Sequence, residues 1–290
     1  MTPFTLTIRG RLRLFETPQV MGILNVTPDS FYDGSRTPRS LPEAVAARAA
    51  RLLDEGADMI DIGGYSTRPG AEDVSSDEEL RRLETGIEAV RRLSAEIPVS
   101  VDTFRAEVAR RAVEQMGADI INDVSGGLLD PDIYRVAAET GAPYILMHMR
   151  GTPATMQQHT DYSDYGGVLP GVAAELHKAL TALNLAGVRD VIVDPGFGFS
   201  KTAAQNYELM RRLPELTALL DGLPLLVGIS RKSMIYKSLG LTPADALPGT
   251  TALNALAIER GAAIIRVHDV APAVQTRNVM QMFLQPSDND

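Results

Sequence analysis

Val20-Met21-Gly22-Ile23-Leu24-Asn25-Val26-Thr27-Pro28-Asp29-Ser30-Phe31 opens as an apolar run that reads as a buried strand, then breaks at Asn25 into a polar loop closed by Pro28. Strand ends followed by such loops are where parallel α/β folds keep their chemistry. The event recurs along the chain. Apolar runs occupy Val20–Val26, Met59–Gly64, Val99–Thr103, Ile120–Val124, Tyr144–Met149, Val191–Asp194, Leu225–Ser230 and Ile264–Asp269. Segments with helical spacing alternate with them: Pro42–Gly56, Ser76–Glu96, Arg105–Met116, Asp132–Thr140, Val172–Leu185, Ala203–Leu213, Pro248–Arg260 and Ala271–Phe283. This alternation predicts an α/β fold, a single (β/α)8 TIM barrel, whose usual size is about 250 residues. A doubly wound open sheet is the alternative, but no Gly-x-Gly-x-x-Gly turn follows the first strand. Alternation over Thr5–Phe15, around Gly10, adds a short N-terminal β-hairpin. The expected organisation is a hairpin extension over 1–17, a barrel over 18–285 and a disordered tail over 286–290.

Composition narrows the function classes. A chain of 290 residues, 44% hydrophobic and 22% charged, can bury a substantial core without staples. It has no cysteine, which excludes disulfides, a thiol nucleophile and thiolate metal sites. A net charge of −9 argues against general nucleic-acid binding, yet permits an anionic substrate wherever cations cluster locally. The N-terminus lacks the pattern of a signal peptide, and no apolar run approaches the roughly 18 residues of a membrane span. The expectation is a soluble cytoplasmic protein.

The C-terminal strand ends of a barrel converge on one face. Here they bring together Asn25, Asp61, Asp102, Asn122, Asp123, Met147, His148, Asp194, the segment Ser230-Arg231-Lys232-Ser233, and Arg266-Val267-His268-Asp269. A buried carboxylate needs a donor, a cation or a ligand. Structural ion pairs, such as Asp102 with Lys232, would satisfy that need, but so many polar strand ends at one rim favour a ligand site. Arg266 and His268 lie two apart on one strand and point to the same side. With Lys232 and Asn25 they suit phosphate or pyrophosphate. Asp102, Asn122 and Asp194 suit a neutral heterocycle rich in N–H groups. The implied ligand has one anionic end and one N–H-bearing end. Glycines at 66–70 and 194–201 permit close backbone approach to it.

NVTPDSF at 25–31, DIGGYSTRPGA at 61–71, VDT at 101–103, IINDVSGG at 120–127, DPGFGFSK at 194–201, SRKS at 230–233 and IIRVHD at 264–269 together resemble the dihydropteroate synthases, from about residue 18 to 284. The resemblance implies a pterin-binding (β/α)8 barrel, usually dimeric and using Mg²⁺. It implies a transferase that joins p-aminobenzoate to 6-hydroxymethyl-7,8-dihydropterin pyrophosphate in folate biosynthesis, with sulfonamides as competitors. Carried over position by position, Asp194 would pair with the amino and N–H edge of the pterin. Asn122 and Asp102 would take other ring nitrogens, and Lys232 the carbonyl and N5 side. Asn25, Arg266 and His268 would hold pyrophosphate, with Mg²⁺ near Asn25 and Asp33. Aminobenzoate would sit against Phe31, Pro69, Phe199 and the stem of Lys232, its carboxylate met by Ser233. Thr67 and Arg68 belong to a second loop that helps close this pocket. Lys232, Arg266, His268 and Asp102 would act on the reaction itself, by an SN1-like route.

Other residues have plainer expectations. Asp61 reads as a barrel-interior hydrogen-bond partner, and Met147 as either a surface for the pterin face or simple core. His148 reads as a satisfied structural histidine, and His159 and His177 as surface residues. No histidine spacing makes a zinc site. The arginine pairs at 81–82, 91–92 and 110–111 are expected to be solvated. Tyr65 and Tyr32 depart from the family pattern in the two mobile loops. A corrinoid-linked methyltransferase is the competing enzyme class, but it needs neither the Ser230–Ser233 segment nor the Arg266 and His268 pair. A silent paralogue that binds pterin is the competing non-enzyme.

Overall fold

The structure, a computed structural model, describes residues 1–27, 40–65 and 74–285. An antiparallel hairpin of β1 (Phe4–Ile8) and β2 (Arg11–Phe15) comes first. Eight parallel strands follow: β3 (Gln19–Asn25), β4 (Met59–Gly63), β5 (Val99–Asp102), β6 (Ile120–Asp123), β7 (Tyr144–Met147), β8 (Val191–Asp194), β9 (Leu226–Val227) and β10 (Ile264–Val267). Their order is β8-β7-β6-β5-β4-β3-β10-β9, and a parallel bridge between Val193 and Leu225 closes the ring. Around it lie α1 (Leu41–Asp54), α2 (Ser76–Leu93), α3 (Ala106–Met116), α4 (Asp132–Thr140), α5 (Val168–Ala186), α6 (Ala203–Arg211), α7 (Leu213–Leu219), α8 (Ser233–Tyr236), α9 (Leu247–Glu259) and α10 (Val270–Leu284). The TIM barrel with its N-terminal hairpin is therefore present as expected. No helix is long and apolar enough to cross a membrane among the described residues. The tail over 286–290 lies outside them.

The strand period places the site. Side chains alternate across a strand, so residues two apart share the interior face. Met21, Met59, Ile120, Ile145, Ile192, Leu226 and Ile264 form one inward layer at the N-terminal end, and Phe4, Leu6 and Ile8 of the hairpin cover it. Arg9 and Arg91 fasten this end, both reaching Asp119 at 2.6 Å. Two residues further along four of these strands the inward positions turn polar, at Asp61, Asn122, Asp194 and Arg266. The apolar floor thus leaves the polar layer to face the opposite mouth.

Several elements differ from the sequence reading. β9 is far shorter than Leu225–Ser230, because the chain turns away beyond Val227 to form the Ser230–Ser233 rim. α5 starts at Val168, before Pro170, since a first-turn residue needs no intrahelical N–H bond. The segment after Ala203 divides at Arg212, and Pro214 opens the unforeseen α7. The arginine pairs are not uniformly solvated. Arg91 also donates to the Ile97 and Gly117 carbonyls, and Arg82 to the Gly64 carbonyl.

Candidate active site

Arg266 is the central cation of the polar layer. Its Nε donates to Asp61 Oδ2 at 2.6 Å and its Nη2 to Asp102 Oδ2 at 2.8 Å. Asn122 Nδ2 donates to the same Asp61 oxygen at 3.1 Å. Asp61 is wholly buried, and its Oδ1 has no hydrogen-bond partner among the described residues. Asp61 is therefore an interior partner, as expected. The ion pair suggested for Asp102 with Lys232 is instead one with Arg266, because β10 and β5 both send their side chains to the barrel axis. With its amide nitrogen on Asp61, Asn122 keeps an oxygen suited to a ligand N–H.

Asp194 closes the opposite side. Its Oδ1 accepts from the Gly196 N–H at 2.7 Å, which turns the carboxylate along the loop 194–201. Gly196 has φ +69°, and a Cβ there would stand 2.0 Å from the His148 carbonyl oxygen. Gly198, with φ +82°, lets the Lys232 side chain cross at contact distance. Lys232 then donates to the Phe197 carbonyl at 2.6 Å and stands 4.6 Å from the Phe199 ring centroid. Met147 packs with Val124, Met149 and Met156 against Phe199, an apolar patch beside the polar groups. Ser233 opens α8 directly after Lys232. The His268 N–H donates to Ser230 Oγ at 3.1 Å, and its Nδ1 lies 3.0 Å from the same hydroxyl. Asn25 Oδ1 stands over Gly63, near Asp102.

The charges are tuned mainly by burial. Burial pushes Asp102 up to about 7 against the pull of Arg266, with Asp61, Glu79 and Asp123 adding to the push. It raises Asp194 as well, opposed by Lys232. Burial lowers Lys232 to about 8 and Lys201 to about 7, Asp194 opposing both. Two acids whose charge is costly, Asp102 and Asp194, lie with Lys232, a cation that readily releases its proton, at the same end of the barrel, an arrangement that a charged or strongly hydrogen-bonding ligand would relieve.

The structure brings together Asn25, Asp102, Asn122, Met147, Asp194, Phe199, Lys232, Ser233, Arg266 and His268 at the mouth. Phe31, Asp33, Thr67, Arg68 and Pro69 lie outside the described residues, as does Tyr32. Tyr65 packs edge-on to Phe104 at 5.2 Å, with the Arg105 guanidinium 5.3 Å from each ring. The sequence reading gave no role to Lys201, which is 3% exposed, nor to its neighbours Glu175 and Arg150. His148 is a satisfied buried histidine, bonded to Glu175 at 2.8 Å and Lys201 at 3.0 Å. Only the run Gly196-Phe197-Gly198-Phe199-Ser200-Lys201, a lysine ending a glycine-rich turn, hinted at that residue.

The family described as pterin binding enzyme matches residues 21–268, so this barrel with its polar mouth is that of a pterin-binding enzyme. The dihydropteroate synthase of Synechocystis sp. is 51% identical over 263 residues, covering 88% of this chain and 86% of that protein. That of Escherichia coli K12 is 44% identical over 94% of both chains. The Xanthomonas albilineans synthase solved with 4-aminobenzoic acid is 42% identical with a TM-score of 0.87, covering 98% of this chain and all of that one. A Yersinia pestis synthase solved with a sulfonamide drug is 40% identical, with a TM-score of 0.85 over 97% of this chain and 98% of that one. The chain belongs to the dihydropteroate synthase family of transferases.

Proposed function

We infer that this chain condenses 6-hydroxymethyl-7,8-dihydropterin pyrophosphate with p-aminobenzoate, giving 7,8-dihydropteroate and pyrophosphate for folate synthesis. The observation that carries the reading is the polar layer itself: Asp102, Asn122 and Asp194 at one end of the barrel, with Lys232, Arg266 and His268 beside them. Related synthases solved with 4-aminobenzoic acid and with 7,8-dihydropteroate support both halves of the substrate pair.

Asp194 accepts from the pterin amino and ring N–H edge, and the Asn122 oxygen and Asp102 take other ring nitrogens. Lys232 meets the pterin carbonyl and N5 side. The C–O bond at the pterin methylene carbon breaks first, and its electron pair leaves with pyrophosphate. Arg266 and His268 stabilise that departing charge, while the Asp102 and Asp194 carboxylates stabilise the cationic pterin. The aminobenzoate nitrogen then bonds to the methylene carbon and loses a proton to solvent. Its ring lies against Phe199 and the Lys232 stem, and its carboxylate meets Ser233. The route is SN1-like. A clearly normal α-secondary deuterium isotope effect at the methylene carbon is expected, and a value near unity contradicts it.

The Asn25 amide oxygen suits Mg²⁺, which keeps several waters and takes few protein ligands beside substrate phosphates. When bound there, Mg²⁺ would supply charge to the leaving group. We also infer that the protein is cytoplasmic and, since α10 exposes Val279, Met282 and Phe283 on its last turns, that it is a homodimer. Sedimentation of the purified protein tests the dimer: a single monomeric species at micromolar concentration removes it.

Asp194→Asn tests the pterin assignment. An amide offers one acceptor oxygen to a two-donor edge, so pterin affinity should fall while the protein stays folded. Normal affinity would show that Asp194 does not face the pterin.

A further inference from the structure

We propose that Lys201 is a positioning residue for the pterin end of the site, an internal ammonium around which the 194–201 loop is folded. The proposal rests on the dihydropteroate synthase reading above. Lys201 closes the loop just before Thr202, the N-cap of α6, and its side chain turns back under the loop instead of outward. Its Nζ lies 3.0 Å from the Gly196 carbonyl, 3.1 Å from the Phe199 carbonyl and 3.0 Å from His148 Nδ1. An ammonium has three protons, and this one has three acceptors.

His148 must then accept at Nδ1, so its single proton sits on Nε2 and is donated to Glu175 at 2.8 Å. Burial pulls His148 down to about 4, consistent with a neutral ring. Arg150 donates from Nε and Nη2 to Glu175, which completes the chain of partners. Asp194 on β8, Lys232 after β9, His148 after β7 and Glu175 on α5 are the charged or titratable groups around the ammonium, with Arg150 behind them.

The consequence reaches two groups that would touch the pterin. Lys201 fixes the Gly196 carbonyl, and the N–H of the same residue orients Asp194 Oδ1. It also fixes the Phe199 carbonyl, two residues beyond the Phe197 carbonyl that holds Lys232. A loop with Lys201 at its centre thus sets the separation between the Asp194 carboxylate and the Lys232 ammonium.

Lys201→Met keeps the length and removes all three donors. Well below its Tm, with folding checked by circular dichroism, the variant should bind 6-hydroxymethyl-7,8-dihydropterin pyrophosphate about ten- to a hundredfold more weakly, the range typical of outer supports of a site. A purely structural lysine would lower Tm and leave pterin affinity unchanged, which would overturn the proposal. If Lys201→Met does not fold, His148→Phe, which removes one acceptor and keeps an aromatic ring, should show a smaller loss of the same kind. Failure of both to fold would assign Lys201 to the fold alone. If wild type itself binds no pterin pyrophosphate, the functional reading falls and this proposal with it; normal binding by both wild type and folded variant refutes this proposal only.

Discussion

At the scale of single residues, Arg266 couples fold and chemistry. Its guanidinium is the counter-ion of Asp61 and Asp102 at once. Arg266→Ala should therefore cost about 2–4 kcal/mol of transition-state stabilisation, roughly 30- to 1000-fold in kcat/KM. It should also lower unfolding free energy by about 3–5 kcal/mol, because two buried carboxylates lose their cation. Steady-state kinetics and urea unfolding check the two effects separately, and a kinetic loss below about threefold removes Arg266 from the reaction. Asp102 gives a pH prediction. Its value of about 7, raised chiefly by burial, means that the folded state holds the proton more tightly than the unfolded state. Its favourable share of stability is full below about 4 and is lost as pH rises through about 7. The carboxylate charge that the pterin needs is gained over the same rise. Asp102→Asn should flatten the fall of stability between these values and remove the matching acid limb of kcat/KM; unchanged profiles contradict the assignment. Residue identities at the rim were readable from sequence because carboxylates inside apolar runs are conspicuous. Lys201 was not, since only the fold brings it to His148, 53 positions earlier in the chain.

At the scale of elements, the hairpin is a stopper. Leu6 and Ile8 are 1% exposed against the inward layer of Met21, Met59 and Ile264. Leu6→Ala should cost about 2–5 kcal/mol by urea unfolding. A cost under about 1 kcal/mol would mean that the hairpin only rests on the barrel. The sequence suggested a hairpin ahead of the fold but not this function, because alternation shows which face is apolar and not what that face meets. Most strands were legible because side chains buried on both faces make continuous apolar runs. β9 was overestimated for a related reason. Leu225-Leu226-Val227-Gly228-Ile229 stays apolar after strand pairing has stopped, so hydropathy has no signal for its end. Pro170 hid the start of α5 in the same way: proline reads as a break, but position three of a helix tolerates it.

At the scale of the whole molecule, one strand period separates a dry floor from a charged ceiling. Met59 and Asp61, Ile120 and Asn122, Ile192 and Asp194, and Ile264 and Arg266 are successive inward positions on four strands. The barrel therefore carries stability and chemistry in adjacent layers of the same elements, with the hairpin sealing one end and the site opening at the other. The central claim is that the open end joins an aminobenzoate to a pterin. The most direct test is pyrophosphate release from 6-hydroxymethyl-7,8-dihydropterin pyrophosphate, with Mg²⁺, in the presence and absence of p-aminobenzoate. Release that depends on aminobenzoate and yields dihydropteroate is the predicted result. Tight binding of the pterin pyrophosphate with no turnover in either condition would contradict it, and would make Tyr65, packed on Phe104 and Arg105, the first residue to exchange.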